Sequence, residues 1–220
     1  MEDTCGCYIG LIEEGPVFNQ RFADYGWCAY DSIDEDLIHR ANQVYEEKGI
    51  EKAERVLIEY YKTEALGQVG HILEASPAFA SREGMIRQCF ENHGEGRYYA
   101  SVPLALIIID GAVNDYTKKK GFFTAATTVD PWDCLVGCTE GLTKLKLNFN
   151  QNRLKTNTEP IYIPYRNGIL HGRDINYGNE YVSCKCIALM FAIADWMIRK
   201  AAREEKEETE NGRTFGKEEQ

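Results

Sequence analysis

The most apolar segment of the chain, residues 97–118, constrains the fold more than any other stretch. Between positions 102 and 113 it reads VPLALIIIDGAV. A helix that is apolar on nearly every face is stable when neighbouring elements surround it. Pro103 falls in the first turns of the segment, where a missing N–H is tolerated or produces a kink. The segment therefore predicts a central helix around which the rest of the domain packs.

Helix start and stop signals predict that the remainder of the chain is also helical. Ser32-Ile33-Asp34-Glu35 is a capping-box pattern, and Gly49 would end the helix that it begins. Ser76-Pro77 ends one helix, and Asp130-Pro131 begins another. The predicted helices span residues 32–48, 51–62, 64–75, 79–91, 97–118, 131–149 and 177–203. We therefore predict an all-α fold.

Composition divides the chain into four regions. Residues 1–31 are rich in glycine and aromatic residues, and we predict an irregular packed segment with, at most, a short hairpin. Residues 32–96 form an acidic helical region, and residues 97–203 a helical domain. Residues 204–220 are charged and poor in apolar residues, which predicts a disordered tail.

Charge is distributed unevenly along the chain. The net charge of −10 argues against a nucleic-acid-binding protein. Residues 1–96 hold 8 Lys and Arg against 19 Asp and Glu, whereas residues 97–173 hold 10 against 6. Such asymmetry can leave a local positive cleft on an acidic protein. Solvation of acidic helix faces explains the first half equally well.

No targeting signal is visible in the sequence, and we expect a soluble, cytoplasmic protein with no membrane partner. The first residues, Met1-Glu2-Asp3-Thr4, are acidic and unlike a signal peptide. The apolar run Ile187–Ile198 is 12 residues long and is interrupted by Asp195. That length is below the roughly 20 residues that a membrane-spanning helix needs.

The cysteines predict buried thiols. There are eight, with Cys-x-Cys twice (Cys5 and Cys7, Cys184 and Cys186) and Cys-x3-Cys once, at Cys134 and Cys138. None forms a Cys-x2-Cys pair, and no histidine lies at zinc-finger spacing. We expect no metal and no other cofactor. A zinc site made from the paired cysteines is the alternative.

The segment Arg166-Asn167-Gly168-Ile169-Leu170-His171 combines three groups that suit phosphate chemistry, and Arg173 follows it closely. An arginine can bind phosphate through two N–H groups and stays charged, and an imidazole titrates near neutrality. On a regular helix, residues five apart point about 140° apart. Arg166 and His171 can therefore share a site if Arg166 lies before or at a helix start. Alternatively, Arg166 pairs with an acidic residue and His171 is a satisfied core histidine.

This segment resembles the Arg-x4-6-His signature of HEPN domains, in its Arg-Asn-x-x-x-His form. The family places the motif at the start of the last long helix of an all-helical domain, with an acidic or amide residue in an earlier apolar helix. Asp110 and Asn114 fit that earlier position, although many members have Glu there. The resemblance covers about residues 97–203. It implies a HEPN-like helical bundle that carries an N-terminal helical extension.

The resemblance implies a metal-independent endoribonuclease of the toxin or antiviral-defence type. Arg166, Asn167 and His171 would be catalytic, Asp110 and Asn114 would support them, and the product would be a 2′,3′-cyclic phosphate. Such cleavage prefers two titratable groups, and one chain supplies one histidine at this site. The resemblance accordingly implies a homodimer with the active site across its interface. The expected partners are RNA, a second copy, and an antitoxin or regulatory protein.

Further cations and a second function stay open. Arg173 and the run Lys118-Lys119-Lys120 are candidates for RNA binding, although cations at a helix end also suit the helix dipole. His39 and His71 are expected at the surface or its boundary, and His93 in a turn. The alternative function is a non-catalytic HEPN module that binds RNA, a nucleotide or a partner protein.

Overall fold

The fold is all-α. The structure, a computed structural model, describes residues 4–118, 121–124, 127 and 141–215, and within them ten α-helices and no β-strand. The helices are α1 (Thr4–Phe22), α2 (Glu35–Lys48), α3 (Ile50–Lys62), α4 (Val69–Glu74), α5 (Pro77–Ala80), α6 (Glu83–Gly94), α7 (Tyr98–Thr117), α8 (Thr143–Phe149), α9 (Arg166–Leu170) and α10 (Glu180–Phe215). Two 3-10 segments, Ala23–Tyr25 and Glu64–Gln68, join neighbouring helices.

The prediction of a central apolar helix is confirmed by α7. It packs against α6 and α10, and its side chains between Ser101 and Val113 that face them are fully buried. Pro103 lies inside the helix, near its start. Helices from both halves of the chain share one hydrophobic core. Burial at roughly 25 cal/mol per Å² of apolar surface makes this core the main source of stability.

The last helix, α10, carries the second apolar stretch of the core. Within the described chain, it is the one helix long and apolar enough to cross a membrane, and 89% of its apolar window is buried among the other helices. The prediction of a helix over 177–203 is close, but α10 begins at Glu180 and continues to Phe215. Residues 204–215 are thus helical rather than disordered, and ion pairs of the i,i+4 type such as Lys200–Glu204 support the extension.

The prediction of an irregular segment over residues 1–31 is wrong, because α1 covers most of it. Local propensity argues against a helix here, since Pro16 and several glycines lie inside it. Tertiary contacts outweigh that propensity. Leu11 is buried, and the rings of Phe18 and Phe22 stack 4.5 Å apart inside the core.

Several predicted helix boundaries shift. The helices predicted over 32–48 and 51–62 are found as α2 and α3, but Asp34 rather than Ser32 caps α2 by accepting from the Asp36 N–H. The segment predicted over 64–75 divides into a 3-10 turn and α4, and the one over 79–91 into α5 and α6. Of the helix predicted over 131–149, the described part is helical at Thr143–Phe149.

A buried ion pair ties three parts of the fold together. The Lys185 ammonium on α10 lies 2.7 Å from Glu54 on α3 and donates to the Tyr162 carbonyl at 2.7 Å. The same Glu54 carboxylate accepts from the indole N–H of Trp27 at 2.9 Å. Burial lowers the pKa of Lys185, and Glu54 opposes that shift. The pair fixes the segment at Tyr162, which leads into α9.

His93, predicted in a turn, is instead buried in the last turn of α6. Its Nε2–H donates to the Tyr61 carbonyl at 3.0 Å, and its Nδ1 accepts from the Ser183 hydroxyl at 2.7 Å. A carbonyl can only accept, which fixes the proton on Nε2. Burial lowers the pKa of His93, so the imidazole is neutral and serves as a link between helices.

His71, on α4, connects to α10 through the carboxylate of Asp195. Its Nε2 lies 2.5 Å from Asp195 Oδ1, and Asp195 Oδ2 accepts from the Ser32 N–H at 2.6 Å. The ring also stacks on Phe191. The hydrogen bond to Asp195 raises the pKa of His71, although partial burial opposes it. This contact explains why Ser32 does not cap α2.

Stability should therefore depend on the charge of His71. Its folded-state pKa lies above the unfolded value of about 6.5, so its contribution is complete below pH 6.5 and is lost as the pH rises through the folded pKa. We expect His71→Gln to lower the free energy of unfolding by about 1 kcal/mol at pH 6 and by less at pH 9, measured by urea denaturation.

Asp195→Asn provides the control. In that background, His71→Gln should have the same effect at both pH values, because the charge partner is gone. Equal losses at pH 6 and pH 9 in the otherwise wild-type protein would contradict a charged His71–Asp195 contact.

Candidate functional site

The Arg-Asn-x-x-x-His segment forms the short helix α9 and its C-terminal turn. Arg166 is the first residue of α9, and His171 is its C-cap residue. Gly172 follows with a φ of 66°, a left-handed conformation that suits glycine and ends the helix. Arg166 thus lies at the helix start but is itself a helical residue, and residues five apart on a helix point about 140° apart. The family pattern differs in one respect, because α10 begins only at Glu180, so the motif precedes the last long helix on an element of its own.

Arg166 is held by the central helix α7. Its Nη2 donates to Asp110 Oδ2 at 2.8 Å, and its Nη1 donates to the Asn167 side-chain oxygen at 3.0 Å. The guanidinium carbon lies 5.9 Å from the centre of the Phe123 ring. The structure therefore brings Asp110, Arg166 and Asn167 together. Arg166 pairs with an acidic residue, as the alternative interpretation of the motif predicted.

The ion pair between Arg166 and Asp110 is monodentate, since one nitrogen of Arg166 contacts one oxygen of Asp110. Arg166 Nε and Asp110 Oδ1 are both buried, and neither has a hydrogen-bond partner in the described chain. Gly121 packs directly on Asp110, where an added Cβ would overlap the carboxylate. A bidentate pair would satisfy all four atoms. The observed pair instead leaves polar atoms unsatisfied, which is costly in a buried setting and is found at functional sites.

Asn167 connects α9 to the end of α8. Its side-chain amide donates to both the carbonyl and the side-chain oxygen of Asn150, each at 3.1 Å. Asn150 is the C-cap residue of α8. Asn167 thus orients Arg166 through one end of its amide and fixes α8 through the other.

A fully buried carboxylate shapes the turn after the motif. Asp174 accepts from Arg153 Nε and Nη2 at 2.9–3.2 Å and from the Asn157 amide at 3.1 Å. Asn157 and Asp174 also form an isolated parallel bridge. Arg153 lies 4.6 Å from the Tyr165 ring centre, and the Asp174 hydrogen bond raises its pKa. An added Cβ on Gly168 would overlap the Asp174 carboxylate, so this position requires glycine.

His171 lies on the surface. Its side chain is exposed and makes no hydrogen bond or ion pair with any part of the chain that the structure describes. Its backbone N–H donates to the Asn167 carbonyl at 3.2 Å. His171 is therefore not the satisfied core histidine of the alternative interpretation.

The remaining predicted residues are placed differently. Asn114 lies one turn after Asp110 on α7 and is exposed, and Arg173 donates to the Arg153 carbonyl at 2.5 Å. Lys118 is exposed at the end of α7, in a depression that it shares with Ser81 and Asp115, and makes no contact with Arg166. Lys119 and Lys120 lie outside the described residues.

Three other side chains that hold the motif in place were not predicted from the sequence. Asn150, Arg153 and Asp174 hold the motif through contacts that span about 17 to 21 positions of sequence. No spacing rule links residues so far apart, so a signal for them was absent. A run of polar residues with two prolines between Asn150 and Pro164 indicated a linker and nothing more.

Four of the cysteines are buried thiols. Cys28, Cys89, Cys184 and Cys186 are free, and burial raises the pKa of Cys28 and Cys89 to about 12. Among the described residues, no group of three or more His, Cys, Asp or Glu side chains is arranged to hold a metal ion. Cys134 and Cys138 lie outside the described residues.

Comparison with protein-family models, with curated proteins and with solved structures gave no significant match to this chain. The interpretation of the site therefore depends on its own geometry and on the motif.

The Gly168 contact predicts a large effect of a single methyl group. Gly168→Ala would push against the buried Asp174–Arg153 pair, and we expect the free energy of unfolding to fall by about 2 kcal/mol or more. Gly70→Ala, in α4, is the matched control, since an added Cβ there meets nothing within 4 Å.

Alanine at position 70 should leave stability unchanged or raise it by up to about 1 kcal/mol. Urea denaturation of the two variants beside wild type measures the difference. A Gly168→Ala protein as stable as the Gly70→Ala protein would show that the turn can relax around the methyl group.

Proposed function

We propose that this protein is a metal-independent endoribonuclease of the HEPN type. The observation that carries the proposal is the asymmetry of the motif. Arg166 is fixed at the start of α9 by Asp110, while His171 at the other end of α9 is exposed and has no partner in the described chain. A fixed cation and an open imidazole are the two kinds of group that phosphoryl transfer from a bound hydroxyl requires.

The roles follow from the chemistry of each side chain. His171 removes the proton from the ribose 2′-hydroxyl, or protonates the leaving 5′-oxygen. The 2′-oxygen attacks phosphorus, the bond from phosphorus to the 5′-oxygen breaks, and a 2′,3′-cyclic phosphate and a 5′-hydroxyl result. Arg166 stabilises the charge on the phosphoryl oxygens. Asn167 keeps the guanidinium in place, and Asp110 anchors it from α7.

A homodimer is part of the proposal. Each chain presents one exposed histidine at the motif, and a two-fold axis near it would supply the second titratable group. Exposed apolar side chains beside the Arg153–Asp174 pair support an interface on this side of the molecule. Leu154 is 81% exposed and Ile175 is 43% exposed. We further propose a cytoplasmic role as a toxin or antiviral effector, with an antitoxin or regulatory protein as its partner.

The Arg166–Asp110 ion pair favours a second candidate function. A carboxylate 2.8 Å from the guanidinium reduces the charge that a phosphate would meet. If Asp110 is not displaced or outweighed, the same surface would serve as a non-catalytic HEPN module that binds RNA, a nucleotide or a protein.

The test is cleavage of a labelled RNA in the presence of EDTA by wild type and by His171→Ala. We expect wild type to leave cyclic-phosphate ends and His171→Ala to be slower by about 10²–10⁴-fold, the usual contribution of general acid–base catalysis. Because His171 is exposed and has no side-chain partner in the described chain, the variant should keep its thermal stability and its oligomeric state.

His39→Ala is the matched control, since His39 is another exposed histidine and pairs with Glu14 on α1, away from the motif. It should cleave like wild type. Equal cleavage by His171→Ala and wild type would reject His171 as a catalytic residue. Binding of RNA by wild type without cleavage would favour the non-catalytic module.

A further inference from the structure

Lys146, on α8, is a partly buried cation without an acidic partner in the described chain. Its ammonium donates to the Thr127 carbonyl and lies 6.0 Å from the centre of the Phe122 ring. Desolvation lowers its pKa. In a protein of net charge −10, a partly desolvated lysine with no carboxylate partner among the described residues is a candidate for binding an anion.

Two series of contacts connect Lys146 to Arg166. The rings of Phe122 and Phe123 lie 5.1 Å apart, Lys146 lies over the first ring, and Arg166 lies over the second at 5.9 Å. The two cations therefore contact one aromatic pair. Lys146, Phe122 and Phe123 lie outside the motif, and no sequence spacing indicated their contact with it.

The second series of contacts consists of hydrogen bonds. Asn150 lies four residues after Lys146, one turn along the α8 region and on the same face. Asn150 accepts from Asn167, and Asn167 accepts from Arg166. Lys146 is thus on the side of α8 that meets α9. Lys144, two residues earlier, lies about 160° around the helix and faces away.

We propose that Lys146 and Arg166 together form a binding site for the phosphate backbone of single-stranded RNA. This inference rests on the proposed function and deepens it by naming a second cation of the same site. Arg166 offers a planar set of donors for one phosphoryl group, and Lys146 adds a point charge on the far side of the aromatic pair. A phosphate would also supply a counter-charge to Lys146, which has none among the described residues, and so offset the cost of its desolvation.

The experiment measures binding apart from cleavage. The full-length His171→Ala protein is titrated against a fluorescent oligouridylate by anisotropy between 50 and 200 mM salt, alone and with Lys146→Met or Lys144→Met added. Methionine keeps the length of the lysine stem and its packing on Phe122. Thermal denaturation checks that each variant is folded.

Loss of one phosphate contact should reduce the slope of log affinity against log salt by about 0.7. At 0.1 M salt we expect Lys146→Met to weaken binding about fivefold, and Lys144→Met to match the His171→Ala parent. An unchanged slope in Lys146→Met, or equal weakening by both substitutions, would overturn the phosphate site in favour of diffuse charge attraction.

Failure of this inference is distinguishable from failure of the proposed function. Cleavage by wild type in EDTA together with equal behaviour of the two lysine variants would leave the ribonuclease and remove the Lys146 site. No cleavage, with a reduced slope in Lys146→Met alone, would support the phosphate site and remove the ribonuclease. No binding of the oligouridylate by the His171→Ala parent would overturn the Lys146 site, and wild-type cleavage would then decide the function separately.

Discussion

The buried Lys185–Glu54 pair is the interaction on which the position of the candidate site depends. It joins α10 to α3, and through the Tyr162 carbonyl it holds the irregular segment that leads into α9. The rings of Trp27 and Tyr181 lie 5.4 and 5.7 Å from the ammonium, so the charge is surrounded by aromatic faces and a carboxylate. A buried charge with these partners is tolerated, whereas loss of either partner would leave a charge uncompensated at a cost of about 3–5 kcal/mol.

From that anchor, polar contacts rather than a long helix position the motif. Asp110 fixes Arg166 from α7, Asn150 fixes Asn167 from α8, and the fully buried Asp174 fixes the turn beneath Gly168. A five-residue helix gains little stability from its own hydrogen bonds, so these side chains supply the rigidity that a longer helix would provide. The exposed His171 then projects from a rigid base, which is the arrangement that functional sites generally need.

The structure was predictable from the sequence where a segment has one stable conformation or position. The apolar segment that became α7 could be stable only at the centre of the fold, and Gly49 ends α2 because few other residues adopt its φ of 79°. Prediction failed where distant contacts decided the outcome. Ser32 has the local features of a cap, yet it bonds to Asp195, 163 positions away, and α1 forms despite Pro16 because its aromatic residues reach the core. The family motif pointed to Asp110 as a supporting residue but not to its contact with Arg166, and nothing in the sequence pointed to Asn150, Asp174 or Lys146.

The acidity of the chain is compatible with an RNA site because charge acts locally. At physiological salt, interactions between exposed charges more than about 8 Å apart are largely screened, so the charges close to a site matter more than the net charge of the protein. At the proposed site, a phosphate would meet Arg166, partly neutralised by Asp110, and Lys146, which has no acidic partner among the described residues. Asp110 thus has two opposed effects, since it orients the guanidinium and also lowers the net positive charge. With Lys146 as a second cation across the Phe122–Phe123 pair, the proposed site would keep a net positive charge while Asp110 keeps Arg166 oriented.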